Sequence, residues 1–193
     1  MHDCTRFLEA GVSARMFVAV VPPEPIKEEL SEFLAPRDGM PWIDPEQWHL
    51  TLAFLPQVAQ HRADDLVEAL ERTAAKHESF ELSLAGAGAF PDEFTAKVLW
   101  LAPAADMSRL AAGVRNACNS AGATPDGQRF VGHLTIARLK RSLDARKWLQ
   151  VLDTFRSAPW LVEEVELVHS HLREGQSGRP RYETVASVAL GSA

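Results

Sequence analysis

Cysteine occurs only twice in the 193 residues, at Cys4 and Cys118, so neither a disulfide framework nor a cysteine-based metal site is suggested, and a reducing compartment fits. An excess of positive charge is missing too, since 20 Lys and Arg against 26 Asp and Glu leave a formal net charge of -6. A protein that grips long nucleic acid through many phosphates usually carries a basic surface, so a nucleic-acid substrate is expected to be met at a short end. No apolar run is long enough to cross a bilayer: the longest near the start covers 16–23, and Asp3 and Glu9 are not the flanks of a signal peptide. A cytoplasmic protein is expected. There is no linker or low-complexity tract, and 46% hydrophobic with 24% charged residues suits a single globular unit.

What the chain does have is a repetition. Trp48-His49-Leu50-Thr51-Leu52-Ala53-Phe54 returns 84 residues later as Gly132-His133-Leu134-Thr135-Ile136-Ala137-Arg138. If each copy is a strand, His and Thr project from one face and the aliphatic residues from the other. A single histidine in a strand is ordinarily a hydrogen-bonded structural residue, but self-similarity of this kind signals duplicated architecture. Two such strands brought together would set two histidines and two threonines around one cleft, each held from behind by a packed apolar face. Strict alternation sends Phe54 to the apolar side with the core and points Arg138 away from His133.

Around the two copies the chain alternates strands and helices. Residues 1–14 have no periodicity and read as an extension, leaving 15–193 as one domain. An apolar strand at 16–21 ends at Pro22-Pro23, and Ile26, Leu30, Phe33 and Leu34 give a helical stripe. A second helix is expected over 62–77, and a strand over 80–84 pairs with one over 97–101 across a long connection at 86–94. Met107, Leu110, Ala111, Val114 and Cys118 mark a third helix, which makes Cys118 core filling, and 143–155 a fourth. Strands at 162–172 and 182–190 close the chain around a loop holding Gly175, Gly178 and Pro180. The mixed order gives an α+β fold.

These residues resemble the two-histidine (2H) phosphoesterases, and within them the RNA 2',3'-cyclic phosphodiesterases once named 2'-5' RNA ligases. The likeness runs over about 15–190 and includes Arg15-Met16-Phe17, both His-x-Thr motifs, the 86–91 segment with Val98-Leu99-Trp100-Leu101, and Ser170-His171-Leu172 through Tyr182. Pro56 stands where relatives usually have Gly, and Gly132 where they usually have Pro. The resemblance implies two pseudo-symmetric lobes of antiparallel sheet with outer helices and a central cleft. It also implies roles: His49 as proton donor, His133 as proton acceptor, and an RNA 3' end bearing a 2',3'-cyclic phosphate as substrate.

The residue types suit that chemistry. Opening a cyclic phosphodiester needs a base for water on one side of phosphorus and an acid for the leaving oxygen on the other, and imidazoles titrating near neutrality supply both. Thr51 and Thr135 would donate hydrogen bonds to the non-bridging oxygens. Phe17, Phe54 and Tyr182 are the rings that could stack a terminal base, with Phe54 assigned to the core by its side of the strand, so Phe17 and Tyr182 are expected to do so. Arg138, in a cluster with Lys140, Arg141, Arg146 and Lys147, is expected to steer phosphate, and Ser170 joins the substrate-contact set by its place in the closing segment. His169 and His171 are the one close pair that could take zinc, but a surface-facing pair lacking a third ligand nearby in sequence is the reading taken, and no metal, cofactor or membrane is expected. A monomer is expected. A small nucleotide metabolite as substrate, or a nucleotide-binding module without turnover, are the competing functions.

Overall fold

Met16, Val18 and Val20 pack into one core while Phe17 and Ala19 pack into a second, smaller one, so the first strand already defines two sheet faces. The computed structural model describes residues 13–172, 174–175 and 179–191. Its elements are β1 (Ser13–Val20), α1 (Glu24–Leu34), β2 (Leu50–Ala59), α2 (Ala63–Ala74), β3 (Phe80–Leu82), β4 (Leu84–Phe90) and β5 (Ala96–Pro103). They continue with α3 (Ser108–Ser120), β6 (Leu134–Leu143), α4 (Arg146–Leu152), β7 (Trp160–Val162), β8 (Glu164–His171) and β9 (Arg181–Ala189). The fold is α+β. None of the described helices is long and apolar enough to cross a membrane.

The repetition extends beyond the motifs. A shift of 84 residues lays β2 on β6 residue for residue and starts α1 where α3 starts. Seven strands form one sheet in the order β4-β5-β6-β2-β1-β8-β9, every described pairing antiparallel. The two lobes, β2-β1-β8-β9 and β6-β5-β4, join through β2 and β6 at a single ladder pair, Leu50 opposite Leu134, which are equivalent positions of the repeat. A pseudo-twofold axis therefore passes through that pair. Beyond it the two strands diverge, and each leaves an edge that needs covering. The covers are reciprocal. The Ile43 N–H donates to the Ile136 carbonyl (2.9 Å), and the Asp126 N–H donates to the Phe54 carbonyl (2.9 Å), so the loop before each motif braces the strand of the other lobe.

Burial of Ile26, Leu30 and Leu34 from α1, of Leu66 and Leu70 from α2, and of Leu110, Val114 and Cys118 from α3 joins those helices to one core with the sheet. Cys118 is fully buried there, and burial pushes its thiol up to about 12, which suits packing rather than reactivity.

Several boundaries differ from the sequence-based expectation. β1 begins at Ser13, opposite Ala59, and the Ser13 hydroxyl accepts from the Gln57 side-chain amide (3.2 Å), so the expected extension over 1–14 gives up its last two residues to the sheet. Its remainder, 1–12, lies outside the described residues, as does Gly178. The largest correction falls on 80–94. Phe80–Leu82 pairs with β7 in a separate two-stranded sheet, and the partner of β5 is β4, built from the segment read as a connection. Three alanines and two glycines hid the strand, and the structure explains one of the glycines. The Trp100 ring of β5 lies over Gly88, where a Cβ would sit 2.1 Å from Trp100 Cζ2, so only glycine lets the ring lie flat.

Candidate active site

Each motif strand carries a bulge, and the bulges decide what faces the lobe junction. On β2, Ala19 lies opposite Thr51 and Val18 opposite Ala53, so Leu52 is the extra residue; Leu52 and Ala53 are both buried in the main core. On β6, Trp100 lies opposite Thr135 and Leu99 opposite Ala137, so Ile136 is extra, and Ile136 and Ala137 are both buried. The side-chain alternation resets at both places. Phe54 thereby packs with Phe17, Ala19, Val168 and Tyr182 instead of in the main core, and Arg138 returns to the side of Thr135. Both outcomes correct the expectation from strict alternation, and they are equivalent positions of the repeat.

The two histidines are held alike. His49 Nδ1 lies 2.7 Å from the Gln47 carbonyl and His133 Nδ1 lies 2.7 Å from the Val131 carbonyl. A carbonyl only accepts, so each Nδ1 carries the proton and each Nε2 is left for chemistry, as an acceptor when the ring is neutral and a donor when it is charged. Burial lowers His49 to about 4, with the charges of Arg138 and His133 adding to the effect against the opposing Gln47 carbonyl. His133 is lowered by burial and by Arg138, and the Val131 carbonyl opposes. Arg138 therefore acts on both imidazoles, which places its charge at the junction of the lobes.

The walls differ. Phe17 stacks on His49 with ring centroids 4.4 Å apart, and the Tyr182 edge meets both Phe17 (5.1 Å) and His49 (5.4 Å). Beside His133, Phe90 presents an edge at 5.0 Å and Trp100 lies at 6.1 Å. Arg15 sets its guanidinium 4.4 Å from the centroid of Phe54. Ser170 is buried on β8 opposite Tyr182, two residues after Val168.

Among the expected residues, the structure thus gathers His49, His133, Arg138, Phe17 and Tyr182, and Thr51 and Thr135 lie on the partly exposed side of their strands. Of the basic cluster, Arg146 is drawn away to Asp144 (2.6 Å). Sequence reasoning placed Arg15, Phe90 and Trp100 only within the blocks of the resemblance, gave them no role at the site, and put Phe54 on the other side of its strand. The 84-residue equivalence of Phe54 with Arg138 was the signal that would have shown both on one side. The His169 and His171 rings lie 3.8 Å apart at a tilt of 37°, with His171 Nε2 held by Glu183 (2.8 Å), and no group of three His, Cys, Asp or Glu among the described residues could hold a metal ion.

Two pseudo-symmetric lobes, each carrying a His-x-Thr strand, place the chain in the two-histidine phosphoesterase class. The chain belongs to the 2'-5' RNA ligase superfamily, whose sequence model matches residues 22–174. It is 32% identical over 180 residues to an RNA 2',3'-cyclic phosphodiesterase of Geobacillus stearothermophilus, covering 90% of this chain and 56% of that protein's length. A Thermus thermophilus RNA 2',3'-cyclic phosphodiesterase is 32% identical over 170 residues, covering 82% of this chain and 83% of the relative. A crystal structure of a Thermus thermophilus protein superposes with a TM-score of 0.72 at 28% identity, covering 92% of this chain and 98% of that one.

Proposed function

We propose that the chain hydrolyses the 2',3'-cyclic phosphodiester at an RNA 3' end to a 2'-phosphomonoester, by acid–base catalysis between His49 and His133. The observation that carries this reading is the Leu50–Leu134 pairing, which sets two identically anchored imidazoles about one axis. In the reaction His133 Nε2 takes a proton from water as its oxygen bonds to phosphorus. The P–O3' bond breaks, and His49 Nε2 delivers a proton to O3'. Thr51 and Thr135 donate to the non-bridging oxygens, Arg138 offsets their charge, and Phe17 and Tyr182 support the terminal base. Curated relatives named for this activity and the superfamily match support the same substrate class. The setting the reading assumes is a monomer in the cytoplasm.

His49 must hold a proton when it donates, yet burial lowers it to about 4. A bound phosphate anion favours the charged imidazole and works against that burial. The same depression favours a second reading, with His49 as base and His133 as acid, which would leave the phosphate on the 3' oxygen if the ribose kept its pose. Phosphorus NMR of the product from a cyclic-phosphate-ended oligonucleotide, in excess EDTA, separates the two by a 2'- or 3'-phosphate. In the same assay His49→Ala and His133→Ala should each lose about 10²- to 10⁴-fold in turnover while staying folded. A folded single variant with the wild-type rate would refute the two-histidine mechanism.

A further inference from the structure

His49 and His133 hang from equivalent carbonyls, but those carbonyls are not secured alike. Val131 is 42% exposed and its side chain has no hydrogen-bonding group. Gln47 ends a short 3-10 turn, Pro45–Gln47, opened by Asp44, whose carboxylate accepts from the Glu46 N–H (3.0 Å). Its side-chain Nε2 donates to the Pro180 carbonyl at 2.7 Å, a contact spanning 133 residues of chain. Pro180 leads directly into β9, and two residues on, Tyr182 sets its ring edge against His49. Arg181, between them, pairs with Glu174 (3.1 Å) and Glu183 (3.2 Å), which steadies the strand's entry. One stretch of three residues thus meets His49 directly, through Tyr182, and indirectly, through Gln47.

We propose that Gln47 is a positioning residue for the reaction, the hydrogen bond its side-chain amide donates to the Pro180 carbonyl fixing the backbone carbonyl that aims the His49 imidazole. The mechanical link is short, because the amide and the carbonyl belong to the same residue. With the amide held, the turn keeps one orientation, and His49 Nδ1 keeps one partner. The apolar side chain of Val131 cannot make this tie in the second lobe, so the two catalytic imidazoles differ in how firmly they are aimed as well as in their neighbours. A misplacement of about 1 Å in a reacting group is enough to cost on the order of 100-fold in rate, so a loosened carbonyl should register in turnover before it registers in binding.

This inference rests on the acid–base reading of His49. It is tested with Gln47→Ala and the same-sized Gln47→Glu, whose ionised carboxylate cannot donate to Pro180. Both should lower kcat by about tenfold or more with KM within about twofold. In NMR spectra of the imidazoles the His49 titration and its Nδ1–H signal should change while those of His133 stay in place. Should Gln47→Ala fail to fold, Gln47→Met keeps the stem and removes only the amide, with the same outcome expected. A folded variant with wild-type kcat, or one that is merely less stable with kcat intact, overturns the inference while an inactive His49→Ala leaves the acid–base reading standing. An active His49→Ala brings down that reading instead.

Discussion

Acidification should unfold this protein partly through His49, and the size of the effect follows from where the ring sits. Packed against Phe17 and Tyr182, the imidazole titrates at about 4, against an ordinary value of 6.5 in the unfolded chain. Between those values the unfolded chain binds more protons than the folded one, so stability rises with pH across that window. The contribution is fully present above about pH 6.5 and is lost as pH falls toward 4. At about 1.4 kcal/mol per factor of ten, the whole span amounts to about 3 kcal/mol, and the part lost between pH 7 and pH 5 to about 2 kcal/mol. Urea titrations at those two pH values measure it, comparing the wild type with His49→Gln. His77 and His169 are also lowered, but they titrate in both proteins and cancel in the comparison, and carrying His133→Gln in both removes the one imidazole whose charge acts on His49. The His49→Gln protein should lose about 2 kcal/mol less than the one that keeps His49 on going to pH 5. Equal losses in the two proteins would show that His49 is not desolvated as described.

Gly88→Ala should cost about 1–3 kcal/mol, because its Cβ would have to displace the Trp100 ring, and a lowered thermal midpoint with reduced turnover is expected since that ring also flanks His133. Thr51→Ala and Thr135→Ala should each reduce kcat by about tenfold to a hundredfold, as one neutral donor to the phosphate is lost; steady-state rates on a cyclic-phosphate-ended RNA check this, and no change in either variant would remove the threonines from the site.

The duplicated motif, the helical stripes and the α+β order were legible because they are local: a period of two or 3.6 survives in the sequence whatever the chain meets later. The bulges at Leu52 and Ile136 were not. A bulge is a property of two strands, and the partners of β2 and β6 lie far away in sequence, so Phe54 and Arg138 were read on the wrong sides. β4 was hidden for a related reason. Its glycines lower strand propensity locally, and the reason to keep Gly88, a tryptophan ring from the next strand, emerges only once the two strands pair. Gln47 and Pro180 could not be linked from sequence at all, since nothing in either residue type announces the other.

The single Leu50–Leu134 joint also bears on how such a site could arise. Two halves related by a twofold axis, each closing the edge of the other, have the geometry of a symmetric dimer whose subunits have been fused end to end. In such an ancestor the histidines would be chemically identical, and neither would be set as acid or as base. An in-line displacement at phosphorus has a matching symmetry, with entering and leaving oxygens on opposite sides of a shared plane. A fusion would free the two copies to diverge, and the equivalent positions of the repeat do differ, Phe54 standing where the other half has Arg138 and Gln47 where it has Val131. What sets the two histidines apart here is their surroundings, the Phe17 and Tyr182 rings beside His49 and the Phe90 and Trp100 rings beside His133, and not the frame that carries them.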